Sequence, residues 1–223
     1  MALRYRCLVL DHDDTVTNSA VETNYPNMLD SLARLRPGEE KNLTIEEFLL
    51  GTFHGYQNWV QERYHYTKEE LDWQYPFWKE CVMKNRPSFV RGMADFLARY
   101  RAAGGIICVA THSYFEMIEK DYMTNCGFMP HYINCWDDPV EHRKPYPYPV
   151  EEAARRFGLE KSDILVVDDM QPGCIMANAA GVDFAAAFWC HDLAPLREYM
   201  GEHAQYQLES LAQLEELVMG DTL

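Results

Sequence analysis

Three acidic residues end a short apolar segment near the N-terminus of this chain. Tyr5 to Leu10 is mostly apolar, and Asp11, Asp13 and Asp14 follow it directly. A short apolar run of this kind predicts a buried strand of a parallel sheet. In open α/β sheets, ligands bind just beyond the carboxyl ends of the strands. The segment therefore predicts an α/β fold with a binding site at the end of the first strand.

Carboxylates this close in sequence repel one another and raise each other's pKa values. A bound divalent cation relieves that repulsion, and a ligand set made only of oxygen atoms suits Mg²⁺. The alternative is a strand that runs into an acidic loop, with Asp14 as the N-cap of the next helix. Three acidic residues at the end of one apolar run favour the metal site over that alternative.

Strand and helix patterns alternate along most of the chain. Further strands are predicted at residues 106–110, 131–135, 164–167 and 183–189. Helical patterns occupy residues 90–100, a segment ending near 126, and residues 150–157, 173–180 and 208–218. Strands that alternate with helices imply right-handed crossovers and a parallel sheet. The predicted fold class is therefore α/β, with a doubly wound parallel sheet.

The segment from residue 18 to residue 86 has no strand-like run and carries only helix signals. Thr44-Ile45-Glu46-Glu47 and Thr67-Lys68-Glu69-Glu70 each have the form of a capping box. This segment is predicted to be an all-helical module, inserted into a core made of residues 1–17 and 87–223. Nine aromatic residues between Phe53 and Trp78 are interpreted as its internal core, with a stacking surface for substrate as the alternative.

The composition argues against several classes of protein. A formal net charge of −15 disfavours nucleic acids and anionic membranes as partners. No run reaches the ~18 apolar residues of a membrane span. Seven cysteines without C-x-x-C spacing argue against a disulfide framework or a zinc site. Because Asp11 interrupts the apolar stretch that a signal peptide would need, we expect a cytoplasmic location.

Polar residues that follow strands one, two and four, with one lysine from the loop before strand four, should meet at one edge of the sheet. They are Asp11, His12, Asp13, Thr111, His112, Ser113, Lys144, Asp168 and Asp169. Each of these signals is weak alone, because a threonine after a strand is common and Lys-Pro occurs in many loops. The ordered set is far more specific.

This ordered set resembles the motifs of the haloacid dehalogenase superfamily of phosphotransferases. That family carries Asp-x-Asp-x-Thr or Asp-x-Asp-x-Val after strand one, Thr or Ser after strand two, Lys before strand four, and an acidic pair or Gly-Asp after strand four. The matching residues are Asp11-His12-Asp13-Asp14-Thr15, Thr111, Lys144 and Asp168-Asp169. The chain looks like a phosphoglycolate-phosphatase-like member, and segment 18–86 resembles the family's helical cap in position and helicity.

The resemblance implies a Mg²⁺-dependent phosphatase that hydrolyses a small phosphorylated metabolite through a phosphoaspartate. Asp11 would be the nucleophile, and Asp13 the general acid and base. Thr111 and Lys144 would complete the catalytic set. The residues implied in substrate binding are His12, Thr111, His112 and Lys144. The residues implied in metal binding are Asp11, Asp13 through its carbonyl, Asp169 and Asp168, the last either directly or from the outer shell.

Three positions depart from the family's commonest pattern. Asp14 stands where glycine is frequent, His12 stands where an apolar residue is frequent, and Gly173 stands where many members have a second acidic residue. The change at Gly173 shifts the expected metal binding to Asp168 and Asp169. His12 has two interpretations, assistance in proton transfer or packing in the interior.

Other functions remain open at this point. A phosphomutase of the same superfamily is one alternative, although Thr15 is more typical of phosphatases. A signalling receiver is another, but its phosphorylated aspartate follows the third strand and its length is about half. A non-catalytic protein that binds a phosphorylated metabolite is the last. The sequence leaves open the substrate, the cap residues that select it and the oligomeric state.

Overall fold

The computed structural model describes residues 3–220 of the chain. Backbone contacts divide it into two compact units. The first unit runs to Thr17 and resumes at Phe89, and the second unit spans Asn18–Ser88. The ends of the predicted core, residues 1–2 and 221–223, lie outside the described residues.

Six strands within residues 3–220 form one sheet in the first unit. They are β1 (Cys7–Leu10), β2 (Ile106–Ala110), β3 (Tyr132–Asn134), β4 (Ile164–Asp168), β5 (Asp183–Ala187) and β6 (Tyr206–Leu208). Their order across the sheet is β3-β2-β1-β4-β5-β6, and every neighbouring pair is parallel. The predicted doubly wound parallel sheet is confirmed, with β6 as a strand that was not predicted.

The strand order reverses direction at β1, which pairs with β2 on one side and β4 on the other. Crevices at such switch points are where doubly wound sheets bind ligands. Leu10 is in register with Val109 of β2 and Val167 of β4. The next residue of each strand therefore reaches the same edge, so Asp11 lies level with Ala110 and Asp168.

The second unit contains the helices α1 (Tyr25–Leu35), α2 (Ile45–Thr52), α3 (Tyr56–Tyr64) and α4 (Lys68–Lys84), preceded by a π-helical turn at Ala20–Asn24. Both predicted capping boxes are present, at the starts of α2 and α4. The helix α3 was not predicted, because it follows Gly55 without a side-chain cap. Phe53, Tyr64 and Tyr66 are buried, so part of the aromatic set does form the interior of this unit.

Arg36 connects the end of α1 to the start of α4 within the helical unit. Its guanidinium donates to both carboxylate oxygens of Glu70, at 2.6 and 2.8 Å. It also donates to the carbonyl oxygens of Tyr64 at 2.9 Å and His65 at 3.0 Å. Hydrogen bonds from Arg36 and from the Thr67 backbone lower the pKa of Glu70 to about 2. Arg36 therefore joins three segments of this unit through charge-assisted hydrogen bonds.

The first unit adds the helices α5 (Met93–Ala102), α6 (Phe115–Asn125), α7 (Tyr148–Phe157), α8 (Gln171–Ala180), α9 (Ala194–His203) and α10 (Leu211–Met219). One face of the sheet packs against α5, α6 and α10 in a shared apolar cluster. On the other side, α8 contacts β4 and β5 and is flanked by α7 and α9. The helix α9 was not predicted, because only Leu196 and Met200 in it are buried. Among residues 3–220, no helix combines the length and apolar character needed to cross a bilayer.

Candidate active site

Asp11 and Lys144 meet in the interior at the carboxyl edge of the sheet. The Lys144 ammonium donates to Asp11 Oδ1 at 2.7 Å and to Asp168 Oδ2 at 2.7 Å. These three side chains are all buried, with at most 6% of any of them exposed. Asp11 follows β1 and Asp168 ends β4, so the parallel register brings the two carboxylates together. Lys144 comes from the loop before α7 and lies between them.

The charges of this group do not cancel. One carboxylate oxygen each from Asp11, Asp168 and Asp169 lie within 4.8 Å of one another. Burial raises the pKa of Asp11 well above its usual range and raises the pKa of Asp168 to about 6, although Lys144 opposes both shifts. Burial acts to lower the pKa of Lys144, but the two carboxylates outweigh it and raise that pKa. Three buried acids against one ammonium, with oxygen donors only, fit a divalent cation such as Mg²⁺.

Gly173, in the first turn of α8, leaves the space that the Asp168 carboxylate occupies. A Cβ atom at Gly173 would lie 2.1 Å from Asp168 Oδ2 and 2.3 Å from Asp168 Cγ. The other Asp168 oxygen, Oδ1, accepts a hydrogen bond from the Met170 backbone N–H at 2.8 Å. The departure from the family pattern at Gly173 therefore has a steric reason, because any side chain there would displace Asp168.

Asp169 is held at both of its carboxylate oxygens. Thr15 Oγ1 donates to Oδ1 at 3.2 Å, and His191 Nε2 lies 2.8 Å from Oδ2. Asp14 belongs to the same cluster, since one polar atom each from Asp14, Asp169 and His191 lie within 4.8 Å of one another. Asp14 has a φ of 56°, the left-handed conformation that suits the glycine frequent at this position. His191 was not predicted, because it follows β5 without any motif around it.

Asp13 contacts the loop that follows β2. Ser113 Oγ donates to Asp13 Oδ2 at 2.5 Å. The Ser113 backbone N–H donates to Thr111 Oγ1 at 3.1 Å, so one short loop connects the Asp13 carboxylate to the Thr111 hydroxyl. Asp13 is half-buried whereas Asp11 is buried. Asp13 therefore keeps some access to solvent.

The two histidines predicted to bind substrate are placed differently. The His12 imidazole has no exposed surface, lies 2.9 Å from Asp121 Oδ2 through its Nε2, and packs near the rings of Phe89 and Tyr122. This placement corresponds to packing in the interior, so a ligand contact at residue 12 would have to involve the backbone. His112 is exposed, and its Nε2 lies 2.9 Å from the Lys144 carbonyl oxygen.

The family of this chain follows from a match to a family model. The model of the haloacid dehalogenase-like hydrolases matches residues 5–181. Because this span is well over half of the sequence, the chain belongs to that family and is a hydrolase of that class. The resemblance inferred from the motifs is confirmed. No curated protein sequence matches the chain.

Solved structures share the fold. A predicted phosphoglycolate phosphatase from Haemophilus somnus is similar with a TM-score of 0.77 and 16% identity, over 96% of this chain and 98% of that one. A HAD-superfamily hydrolase from Geobacter sulfurreducens is similar with a TM-score of 0.67 and 17% identity, over 96% of this chain and 97% of that one. CbbY from Rhodobacter sphaeroides, solved with xylulose-(1,5)bisphosphate, is similar with a TM-score of 0.69 and 17% identity, over 94% of this chain and 96% of that one. At these identities the likeness establishes the fold alone.

Proposed function

We propose that this hydrolase is a Mg²⁺-dependent phosphatase that cleaves a small phosphorylated metabolite through a phosphoaspartate at Asp11. One observation carries the proposal: the buried contact of Lys144 with Asp11 and Asp168, beside Asp169. A carboxylate with a lysine at 2.7 Å, in a cluster suited to a divalent cation, is an arrangement for attacking a negatively charged phosphate ester. The name of the Haemophilus somnus structure, a predicted phosphoglycolate phosphatase, agrees with this reaction class.

The nucleophile of the proposed reaction is Asp11. One of its carboxylate oxygens forms a bond to phosphorus while the bond from phosphorus to the substrate oxygen breaks. The Lys144 ammonium stabilises the ionised carboxylate of Asp11, which burial alone would disfavour. It also carries positive charge toward the phosphoryl oxygens, and the Thr111 hydroxyl lies at the same sheet edge to hold them. Water then cleaves the acyl phosphate and restores Asp11.

Asp13 is the proposed general acid and base. It gives a proton to the departing alkoxide oxygen and then takes one from the attacking water, help that is typically worth ~10²–10⁴-fold in rate. Its contact with Ser113 Oγ at 2.5 Å supports this role, because the hydroxyl holds the carboxyl group in one orientation. Its half-buried position supports proton exchange with solvent between turnovers.

The residues proposed to hold the metal are Asp11, Asp169 and the backbone carbonyl of Asp13. When bound, the metal would neutralise phosphoryl oxygens and orient the ester. For Asp168 we propose a role outside the inner ligand shell. Its Oδ2 accepts from the Lys144 ammonium, which also donates to Asp11, so the Asp168 carboxylate positions Lys144 beside the nucleophile.

We also propose that residues 18–86 act as the family's cap and contribute to the choice of substrate. Thr17 and Phe89 pair in a short antiparallel bridge, so the two connections to the helical unit leave the core side by side. Replacing the unit with a short linker should raise Michaelis constants or blur selectivity between substrates. An unchanged substrate ranking would assign specificity to the core.

The seven free thiols agree with a reducing compartment such as the cytoplasm.

A hydrolysis screen with Mg²⁺ over phosphorylated sugars, nucleotides and short acids tests the proposal. We expect release of inorganic phosphate, whereas a phosphomutase would return the phosphoryl group to its substrate. Asp11→Asn should abolish turnover, and the matched change Asp30→Asn on the exposed side of α1 should not. Rapid quenching of the parent should reveal a phosphoryl group on the peptide that contains Asp11. Parental turnover by Asp11→Asn, or a phosphoryl group on another peptide, would refute the mechanism.

A further inference from the structure

The loop that follows β5 brings a histidine into the acidic cluster. His191 Nε2 lies 2.8 Å from Asp169 Oδ2, and only 5% of the His191 side chain is exposed. An ionised carboxylate can only accept hydrogen bonds, so Nε2 carries the hydrogen and donates it. Because the pair is shielded from water, no solvent molecule replaces this donor easily.

Two contacts anchor the same loop just before His191. Trp189 Nε1 donates to the Thr15 carbonyl oxygen at 2.9 Å. The Cys190 thiol lies 3.7 Å from the Thr17 carbonyl oxygen. Both acceptors belong to the segment that follows Asp14, just after the acidic residues at the end of β1. The imidazole is therefore presented to Asp169 from a loop that is fastened to the site.

The partners of Asp169 determine how its carboxylate is oriented. Thr15 donates to one oxygen and His191 to the other, so rotation of the carboxylate would break one of the two bonds. Asp14 adds a second buried carboxylate to this cluster. Repulsion between the two acids would turn Asp169 away if the His191 donor were missing. Each carboxylate oxygen still has lone-pair capacity for a metal ion.

We propose that His191 is a positioning residue that orients Asp169 for binding the divalent metal. This inference rests on the proposed function, because it assumes that Asp169 is a ligand. Groups that hydrogen-bond to metal ligands fix ligand orientation, and their loss typically lowers metal affinity or activity ~10–100-fold. His191 acts through the Asp169 carboxylate and does not itself touch the metal.

The test compares His191→Gln and His191→Asn, whose side-chain amides differ in length. The Nε2 atom of glutamine can take the place of histidine Nε2, whereas the shorter side chain of asparagine cannot reach Asp169. Metal binding is measured directly, by calorimetry with Mg²⁺ and by electron paramagnetic resonance with Mn²⁺. We expect the dissociation constant to rise ~10–100-fold in His191→Asn and to stay near the parent value in His191→Gln. The control His203→Asn, at the exposed end of α9, should match the parent.

Activity at saturating Mg²⁺ provides a second measurement. His191→Asn should recover most of the parental kcat when the metal is raised, because the missing donor weakens binding and not the chemistry. Equal metal affinity in the parent and His191→Asn would overturn the inference. So would nitrogen coupling in the Mn²⁺ spectrum of the parent, because that would make His191 a direct ligand. Absence of metal binding in the parent would instead overturn the proposed function itself.

Discussion

Replacing Gly173 with alanine adds a single methyl group directly against the side chain of Asp168. That Cβ would lie 2.1, 2.3 and 2.5 Å from Oδ2, Cγ and Cβ of Asp168. Asp168 is short and fully buried, and its Cβ is part of the overlap, so a rotation of its carboxylate cannot relieve the clash. The helix α8 also packs against β4 and β5, so the backbone has little room to move.

The expected loss of stability follows from three terms. Alanine in place of glycine gains ~1 kcal/mol of helix propensity. Forcing extra volume into a packed interior costs ~1–3 kcal/mol, and separating one partner from a buried ion pair costs ~3–5 kcal/mol. If Asp168 moves away from Lys144 and so relieves the overlap, the loss of the ion pair replaces the packing cost, and the net destabilisation is ~2–4 kcal/mol. For a chain of this length that corresponds to a fall of roughly 4–16 °C in Tm.

Thermal unfolding followed by circular dichroism measures the effect, with phosphatase activity assayed in parallel. The control is Gly201→Ala in α9, where the added Cβ would meet only Gln207 Nε2 at 3.5 Å. This control should be as stable as the parent or up to ~1 kcal/mol more stable. Gly173→Ala should also lose activity, up to ~10²-fold, because a catalytic group displaced by about 1 Å loses its alignment. A Gly173→Ala protein as stable and as active as the parent would refute the steric reasoning.

Three further outcomes are expected. Arg36→Met should destabilise the helical unit by ~1 kcal/mol at neutral pH after allowance for solvent screening, measured by urea unfolding. Because the pKa of Glu70 is lowered, the stability difference between the parent and Arg36→Met should be present above the ordinary glutamate pKa of about 4.3 and should fade as pH falls toward 2. A stability difference that does not change with pH would contradict the assignment of this ion pair. Excess chelator should abolish phosphate release, and added Mg²⁺ should restore it. Full activity in excess chelator would show that the reaction does not require the metal. Asp13→Asn, mixed with an activated ester and then quenched, should accumulate a phosphoryl group on the peptide that contains Asp11, because attack by water is slowed. Parental rates of this variant on an unactivated alkyl phosphate would mean that another group is the general acid.

Local sequence signals were sufficient for most of the fold. β2 has the bounds predicted from its apolar run, and both capping boxes form as predicted, because these features depend on residues a few positions apart. The elements that were missed, α3, α9 and β6, bury few of their own residues or are only three residues long. Their conformation depends on neighbours that periodicity does not reveal.

The sequence by itself also determined which strand ends carry acids, because apolar runs that stop at carboxylates are visible without coordinates. Only the tertiary structure decided which of these side chains touch. It joined Lys144 to Asp11 and Asp168, turned His12 into the interior beside Asp121, and added His191 to Asp169. These contacts join residues 22 to 133 positions apart. Such pairings are set by strand register and loop packing, which act through space and leave no local pattern in the chain.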